Sequence, residues 1–380
     1  MEFNFSDEQN QLRDQILRFI QRDYGFEKRR GILKSQAGYS VDAWKQFAEM
    51  GLLALTLPEA QGGLGGNAVD TLAVMEIFGR GLVVEPYLST IVIGADLIAR
   101  AGSAAQQEAL LPRIADGSLL VSLAHYENGG RYELNHVATR AERDGAGWKL
   151  NGGKTVVLHG AAAGKLLVSA RTAGKPRDEQ GVSLFLIDAK APGVTLQDYA
   201  THDGQRAAEL TLKDVKLGAD ALLGPADQAL PLIERTLQRA IAALCAEAVG
   251  AMSALLEITT AYLKTRKQFG VPIGSFQALQ HRTADMLMAA EAARSMAYLA
   301  AAKVDNDDAL ERRRAISAAK YLVGQAARQV GQQAVQLHGG IGVTDELNVG
   351  HYFKRLTMIN VLFGDAEHHL GRYSDLMQAA

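Results

Sequence analysis

Residues 137–160 read VATRAERDGAGWKLNGGKTVVLHG, and the fold turns on how this stretch is read. Up to about Ile114 apolar residues recur at three and four positions, the period of a helix face. From about Leu119 to Leu223 the period changes to two and glycines punctuate short runs. DGAGW and LNGGK carry the chemistry of turns between strands. KLLVSART (165–172), GVSLFLIDA (181–189), GVTLQDY (193–199) and AAELTLKDVKL (207–217) repeat the pattern. Together they predict a compact antiparallel β domain.

Working outward, the N-terminal side is helical. Leu12, Ile16 and Ile20 line one face, Ser6 with Gln9 has the spacing of a capping box, and VDTLAVMEIFGRGL (69–82) continues the period. The run LPEAQGGLGGN (57–67) interrupts it. As a dinucleotide loop it fails, because from Gly63 the third glycine of GxGxxG falls at Ala68 and no strand precedes it, so it reads as a glycine-rich turn between helices. From Ala229 onward the helical period returns in three long segments, 229–266, 276–304 and 308–337. The first is apolar on all sides near Cys245, as a helix buried in a bundle or subunit interface would be. The order predicts three domains: a helical one (1–118), a middle β domain (119–226) and a helical bundle (227–380).

The bulk numbers fit a chain of this kind. It has 380 residues and a formal net charge of −2, too balanced for a nucleic-acid footprint. Its single cysteine, Cys245, sits in AIAALCAEAVGAM as a small hydrophobe would, and a reducing, cytoplasmic setting is the expectation. The N-terminus has neither the basic nor the apolar region of a signal peptide, and no stretch reads as a membrane span. Small molecules and other protein chains are the expected ligands.

Several motifs resemble those of the acyl-CoA dehydrogenases, nearly end to end. FSDEQ (5–9) opens the chain as members of that family open. LPEAQGGLGG (57–66) resembles their PEEYGGLG turn, and AAELTLKDVKLGADALLG (207–224) the strand leaving their β domain. YLKTRKQFGVPIGSFQALQ (262–280) and AVQLHGGIGVTDE (334–346) are the most specific matches. The resemblance implies a mainly α fold with a middle β domain: an N-terminal helical domain, an antiparallel β domain and a C-terminal four-helix bundle. It implies an FAD enzyme that removes a hydride and a proton from the β and α carbons of an acyl-CoA thioester. It further implies electron transfer to an electron-transferring flavoprotein, and a part in fatty acid metabolism.

By that resemblance Arg266 would reach the FAD diphosphate of a neighbouring subunit, with Gln268 and Phe269 beside it; a planar, permanently charged fork suits a diphosphate. Gln336, Gly339 and Gly340 match the QxxGG turn on which the adenine half lies, while a helix-ending glycine pair is the plainer reading of the same residues. Other positions depart from the family. Tyr126, followed by Glu127, stands where a threonine bonds the flavin ring, Val156 where a tryptophan stacks on it, and Leu158 where a hydroxyl residue faces it. Such contacts tune a flavin, so their loss implies weaker binding or altered redox character.

The largest departure lies in NVLFGDAEHHL (360–370). It matches the family segment I-Y-E-G-T-S-E-I-Q, whose first glutamate is the base that takes the α proton. That position is Phe363, which cannot accept a proton, although its backbone N–H could still polarise a thioester carbonyl. The alternative base position on an earlier helix is Ala240. Glu247, isolated among apolar residues, is a candidate displaced base because burial raises a carboxyl pKa. It lies two helical turns, roughly 10 Å, from Ala240, and a structural glutamate is the competing reading. Asp365 and Glu367 fall where the family meets the ribose and phosphate end of FAD, and Asp365 can cap the helix after Gly364. With His368 and His369 they could suggest a metal, but no second ligand pair stands near, and none is expected.

Within the family the pattern most resembles the small subunit of the pimeloyl-CoA dehydrogenase type, seen in TRKQFGVPIGSFQALQ, LCAEAVGAM, GHYFKRLTM and FGDAEHH. This implies an acyl-CoA dehydrogenase subunit whose base-bearing large-subunit partner completes the reaction. The alternatives are a self-sufficient homo-oligomer with a displaced base, Glu247 or Asp365, and a structural subunit that no longer does chemistry.

Overall fold

The computed structural model describes residues 5–378. They pack as two compact units. One holds the described residues up to Gly31, Ala68–Val83 and Ile241 onward; the other holds Ile32–Asn67 and Val84–Ala240. The helices in chain order are α1 (Asp7–Asp23), α2 (Phe26–Lys34), α3 (Val41–Glu49), α4 (Ala68–Gly81), α5 (Asp96–Ala101), α6 (Ala104–Ala115), α7 (Ala229–Thr265), α8 (Gln277–Lys303), α9 (Ala309–His338), α10 (Asn348–Val361) and α11 (Ala366–Gln378).

In the first unit α1 starts where the capping box places it. Ser6 Oγ accepts from the Gln9 N–H and Gln9 returns a bond to the Ser6 N–H, while Ile16, Phe19 and Ile20 are buried. α9 packs against α8, α10 and α11. α4 and α7 cross at backbone contact. A Cβ on Gly79 would meet the Glu247 carbonyl oxygen at 1.9 Å, and one on Gly250 the Glu76 carbonyl oxygen at 1.8 Å. Only glycine permits that approach. Beside the crossing, buried Glu76 accepts from Arg13 of α1 (3.0 Å) and Arg294 of α8 (2.6 Å), joining three helices through one carboxylate. Burial works against its charge, but the two guanidiniums hold its pKa below the ordinary carboxylate value.

α7 corrects one expectation from the sequence. It contains an 18-residue window long and apolar enough to cross a membrane, but 78% of that window is buried within the protein. Its apolar surface is therefore satisfied by packing. Cys245 lies in this window and is buried, which pushes its thiol up to about 12 and keeps it protonated.

The second unit carries the sheet. Its strands are β1 (Val121–Ala124), β2 (Arg140–Asp144), β3 (Gly147–Leu158), β4 (Lys165–Arg171), β5 (Val182–Asp188), β6 (Val194–Ala200), β7 (Arg206–Leu217) and β8 (Leu222–Leu223). They run in the order β6-β7-β3-β2-β4-β5-β8, with β1 on β4. Most pairs are antiparallel; β1 runs parallel to β4, and β2 meets β4 in parallel at Arg140 and Arg171. Inward residues form the core, where Trp148 and Phe185 meet edge to face at 5.3 Å.

DGAGW forms the turn between β2 and β3, as expected, whereas LNGGK does not separate two strands. It lies inside the 12-residue β3, where the register against β7 shifts between Leu150 and Gly152. Gly152 has φ +147, and a Cβ there would fall 2.7 Å from the Thr139 Cα. The glycines serve a bulge with close backbone approach, a use that shares its sequence signature with a turn.

Candidate active site

In the first unit, α10 ends at Val361 and α11 begins at Ala366, and the turn between them holds Phe363. Phe363 has φ +59 and Gly364 φ +110. A non-glycine residue in this region costs about 1–2 kcal/mol, so the surroundings must impose it. They do so through side chains. His369 Nε2 lies 3.0 Å from the Phe363 carbonyl, which can only accept, so Nε2 carries the proton. Burial holds His369 neutral, with its pKa lowered to about 3.

Lys320 of α9 donates to the carbonyls of Ile359 (2.7 Å), Asn360 (2.9 Å) and Gly364 (2.8 Å). Its side chain is buried, and loss of hydration lowers its pKa to about 8, against the attraction of the Asp365 carboxylate. Asp365 Oδ1 accepts the His368 N–H at 2.9 Å and so caps α11, the role its position after Gly364 suggested. Glu367 is exposed on the first turn of α11. Among the described residues no group of three histidine, cysteine or acidic side chains is arranged to hold a metal.

Glu247 is not isolated. Arg355 of α10 donates Nε to Oε1 at 2.5 Å and a second nitrogen to Oε2 at 2.7 Å, with both side chains buried. The bidentate guanidinium engages both carboxylate oxygens. The isolation on which the displaced-base reading rested is therefore absent. Ala240, the other expected base position, is fully buried.

Beyond α7, Lys267–Gln268 (β9) and Val271–Pro272 (β10) form a two-stranded hairpin. At its tip Phe269 has φ +54 and is 92% exposed. Arg266 and Gln268 are exposed too, and Arg266 makes no ion pair among the described residues. At the end of α9, Gly339 (φ +64) terminates the helix and donates its N–H to the Gln336 carbonyl. A Cβ on Gly339 or Gly340 would meet nothing within 4 Å, so the backbone face there is open. Ile341 and Val343 follow, 49% and 74% exposed.

In the second unit Tyr126 and Glu127 follow β1. The Tyr126 carbonyl accepts the Thr155 N–H (2.8 Å), tying the loop to a second bulge in β3 between Lys154 and Val157. That bulge puts Val156 at φ +53 and 38% exposed, while Val157 points into the core and Leu158 is half-buried. Beneath lies a buried polar cluster. Lys154 Nζ donates to Glu127 Oε1 (2.6 Å), Ser169 Oγ (2.9 Å) and the His125 carbonyl (3.2 Å). Glu127 also accepts the backbone N–H groups of Ala138 (2.7 Å) and Thr139 (3.1 Å). Burial lowers the Lys154 pKa to about 8; Glu127, despite its own burial, stays below the ordinary value because of Lys154 and these donors.

Lys320, Arg355 and Lys154 were not singled out in the sequence, and His369 was weighed there only as a metal ligand. The one available signal was a lone charged residue inside an apolar helix or strand pattern, as in SAAKYLV and GGKTVV, and that signal does not name its partner.

The family comparisons cover most of the chain. The model described as acyl-CoA dehydrogenase, N-terminal domain, matches residues 6–118, the middle domain 122–215 and the C-terminal domain 230–375. The acyl-CoA dehydrogenase FadE12 of Mycobacterium tuberculosis is 31% identical over 319 residues, 82% of this chain and 81% of that protein. Among solved structures, a variant of the Tcur3481–Tcur3483 steroid ACAD superposes with a TM-score of 0.88 at 34% identity, over 98% of each chain. The ChsE4–ChsE5 complex from Mycobacterium tuberculosis gives 0.90 at 26% identity over all of both chains.

Proposed function

The chain belongs to the acyl-CoA dehydrogenase family, and from that premise we propose that it is the base-deficient subunit of a two-chain flavoenzyme. It is an oxidoreductase acting on a CH–CH bond, with FAD as cofactor. The observation that carries the two-chain reading is the state of the base positions: Phe363 at one, buried Ala240 at the other, and Glu247 held in a bidentate pair with Arg355. A chain so made needs a base from elsewhere. Two structural relatives bear names that join two proteins, Tcur3481–Tcur3483 and ChsE4–ChsE5, which supports the same reading.

The residues present fit FAD. A largely exposed Phe269 ring, met edge-on only by Phe276 among the described rings, beside an arginine with no ion pair among the described residues, and a glycine pair with open space above it, are features a partner and a dinucleotide would cover. Arg266 would hold the diphosphate of a cofactor shared with the partner, with Gln268 and Phe269 fixing the hairpin against it. Gln336, Gly339 and Gly340 would take the adenine end, and Asp365 and Glu367 the ribose end. Tyr126 and Leu158 would border the ring. When bound, FAD supplies the acceptor for the β hydride. This chain's part in the step is to bind and orient the thioester: the backbone at residue 363 offers a donor toward the carbonyl oxygen, which acidifies the α carbon, and the partner's carboxylate takes the proton.

For the acyl group, the resemblance of TRKQFGVPIGSFQALQ, LCAEAVGAM, GHYFKRLTM and FGDAEHH to the pimeloyl-CoA dehydrogenase small-subunit type favours a medium-chain or dicarboxylic acyl-CoA. The 34% identity to a protein named as a steroid ACAD favours a bulkier acyl group as the second reading. Co-expression with a base-bearing homologue tests both. The complex is expected to reduce an electron-transferring flavoprotein with octanoyl- or pimeloyl-CoA and to yield the trans-2-enoyl product. Turnover confined to steroid side-chain thioesters would favour the second reading; equal turnover by this chain alone would contradict the two-chain assignment.

A further inference from the structure

Lys320 is a buried ammonium without a carboxylate at ion-pair distance among the described residues; its three bonds go to backbone carbonyls. An amphipathic helix does not require this. A methionine would fill the same space without dehydrating a charge, so the lysine is an expensive choice that only its bonds justify. Two of those bonds end α10, where cationic donors offset the helix dipole. The third reaches past the helix to Gly364. The preceding carbonyl, Phe363, is held by His369 from α11. Consecutive carbonyls in a left-handed segment are thus fixed by side chains of two different helices. A Cβ on Gly364 would come within 2.6 Å of His368 and 2.7 Å of His369, so α11 closes the turn from the other side.

We propose that Lys320 is a positioning residue, whose ammonium locks the Leu362–Asp365 turn in the strained backbone that offers residue 363 to the acyl-thioester end of the site. The functional half of this rests on the reading of Phe363 given above. The groups facing the ammonium are Cys245 of α7, the Asp365 carboxylate and neutral His369 of α11.

Hydrogen exchange read by mass spectrometry on the FAD-loaded complex tests the lock, comparing wild type with Lys320→Met and Lys320→Arg. Val323→Ala, a buried change on the same helix, serves as stability control. Lys320→Met is expected to speed exchange in residues 361–368 by about tenfold or more, with α8 and the rest of α9 little changed. Lys320→Arg, which keeps the charge and donors, should retain protection, and Val323→Ala should leave the turn alone. The flavin-absorbance titration with octanoyl-CoA should give about tenfold weaker binding for Lys320→Met and wild-type binding for Val323→Ala. Uniform loosening of α8–α10, an unchanged turn, or Lys320→Arg behaving like Lys320→Met would overturn the lock. A freed turn with unchanged octanoyl-CoA affinity would overturn the positioning role. If wild type binds neither octanoyl-CoA nor pimeloyl-CoA, the function reading fails, and the exchange data still decide whether Lys320 holds the turn.

Discussion

A phenylalanine held at φ +59 between two helices, its carbonyl bonded to a buried neutral histidine, is the residue on which the proposed function turns. If only the base is missing, Phe363→Glu should supply it. The flavin-loaded variant alone is then expected to bleach on anaerobic addition of a substrate acyl-CoA, where wild type alone does not; a variant as inert as wild type would show that more than the carboxylate is absent. Glu247→Gln should separate structure from catalysis. Breaking the buried Glu247–Arg355 pair costs about 3–5 kcal/mol, read in a chemical denaturation curve, with flavin content per folded protein unchanged. The buried lysine adds a pH signature. The pKa of Lys320 is about 8 in the fold and near 10.5 when unfolded, so between these values the unfolded chain binds more protons and stability rises with pH. The stability difference, wild type minus Lys320→Met, is therefore expected to grow from pH 8 to pH 9 by up to about 1.4 kcal/mol. A difference that stays flat or falls would mean that Lys320 is not a charged, dehydrated group at neutral pH.

Among elements, the α4–α7 crossing and the hairpin after α7 behave oppositely to substitution. Gly250→Ala drives a methyl into the Glu76 carbonyl, so separation of the helices should cost about 1–3 kcal/mol in thermal or denaturant unfolding. The hairpin carries no such load. Arg266→Ala should leave the unfolding of the isolated chain within about 0.5 kcal/mol of wild type, since the residue is exposed. Flavin content of the assembled complex should fall. Full flavin occupancy would point to a subunit that only stabilises its partner.

The elements also show what the sequence can carry. Periods of 3.6 and 2, the Ser6–Gln9 box and the Asp365 cap are local, and each appears where its spacing puts it. The proposed vacancy at Phe363 rests on a motif that fixes the position. What escaped is non-local: Glu247 meets its arginine 108 residues away, and Lys320 reaches carbonyls 39 to 44 residues on. Local pattern says that such a residue is buried, not what it bonds. LNGGK failed for a related reason, since glycines for a turn and glycines for a bulge are written alike.

Across the whole molecule, the proposed function has Arg266 and the Gln336–Gly340 turn meeting the cofactor while Phe363 offers no proton acceptor. On the proposed reading the chain would do its chemistry only within an assembly. A homo-oligomer with a displaced base would need a carboxylate not already engaged, yet Glu247 is bound by Arg355 and Asp365 caps α11. The most direct measurement is the visible absorbance of this chain, purified alone and with a co-expressed base-bearing homologue, before and after anaerobic acyl-CoA. The expected result is flavin that acyl-CoA bleaches only in the co-expressed complex. Stoichiometric flavin on the chain alone, fully bleached by acyl-CoA, would contradict the two-chain account and place a working base within this sequence.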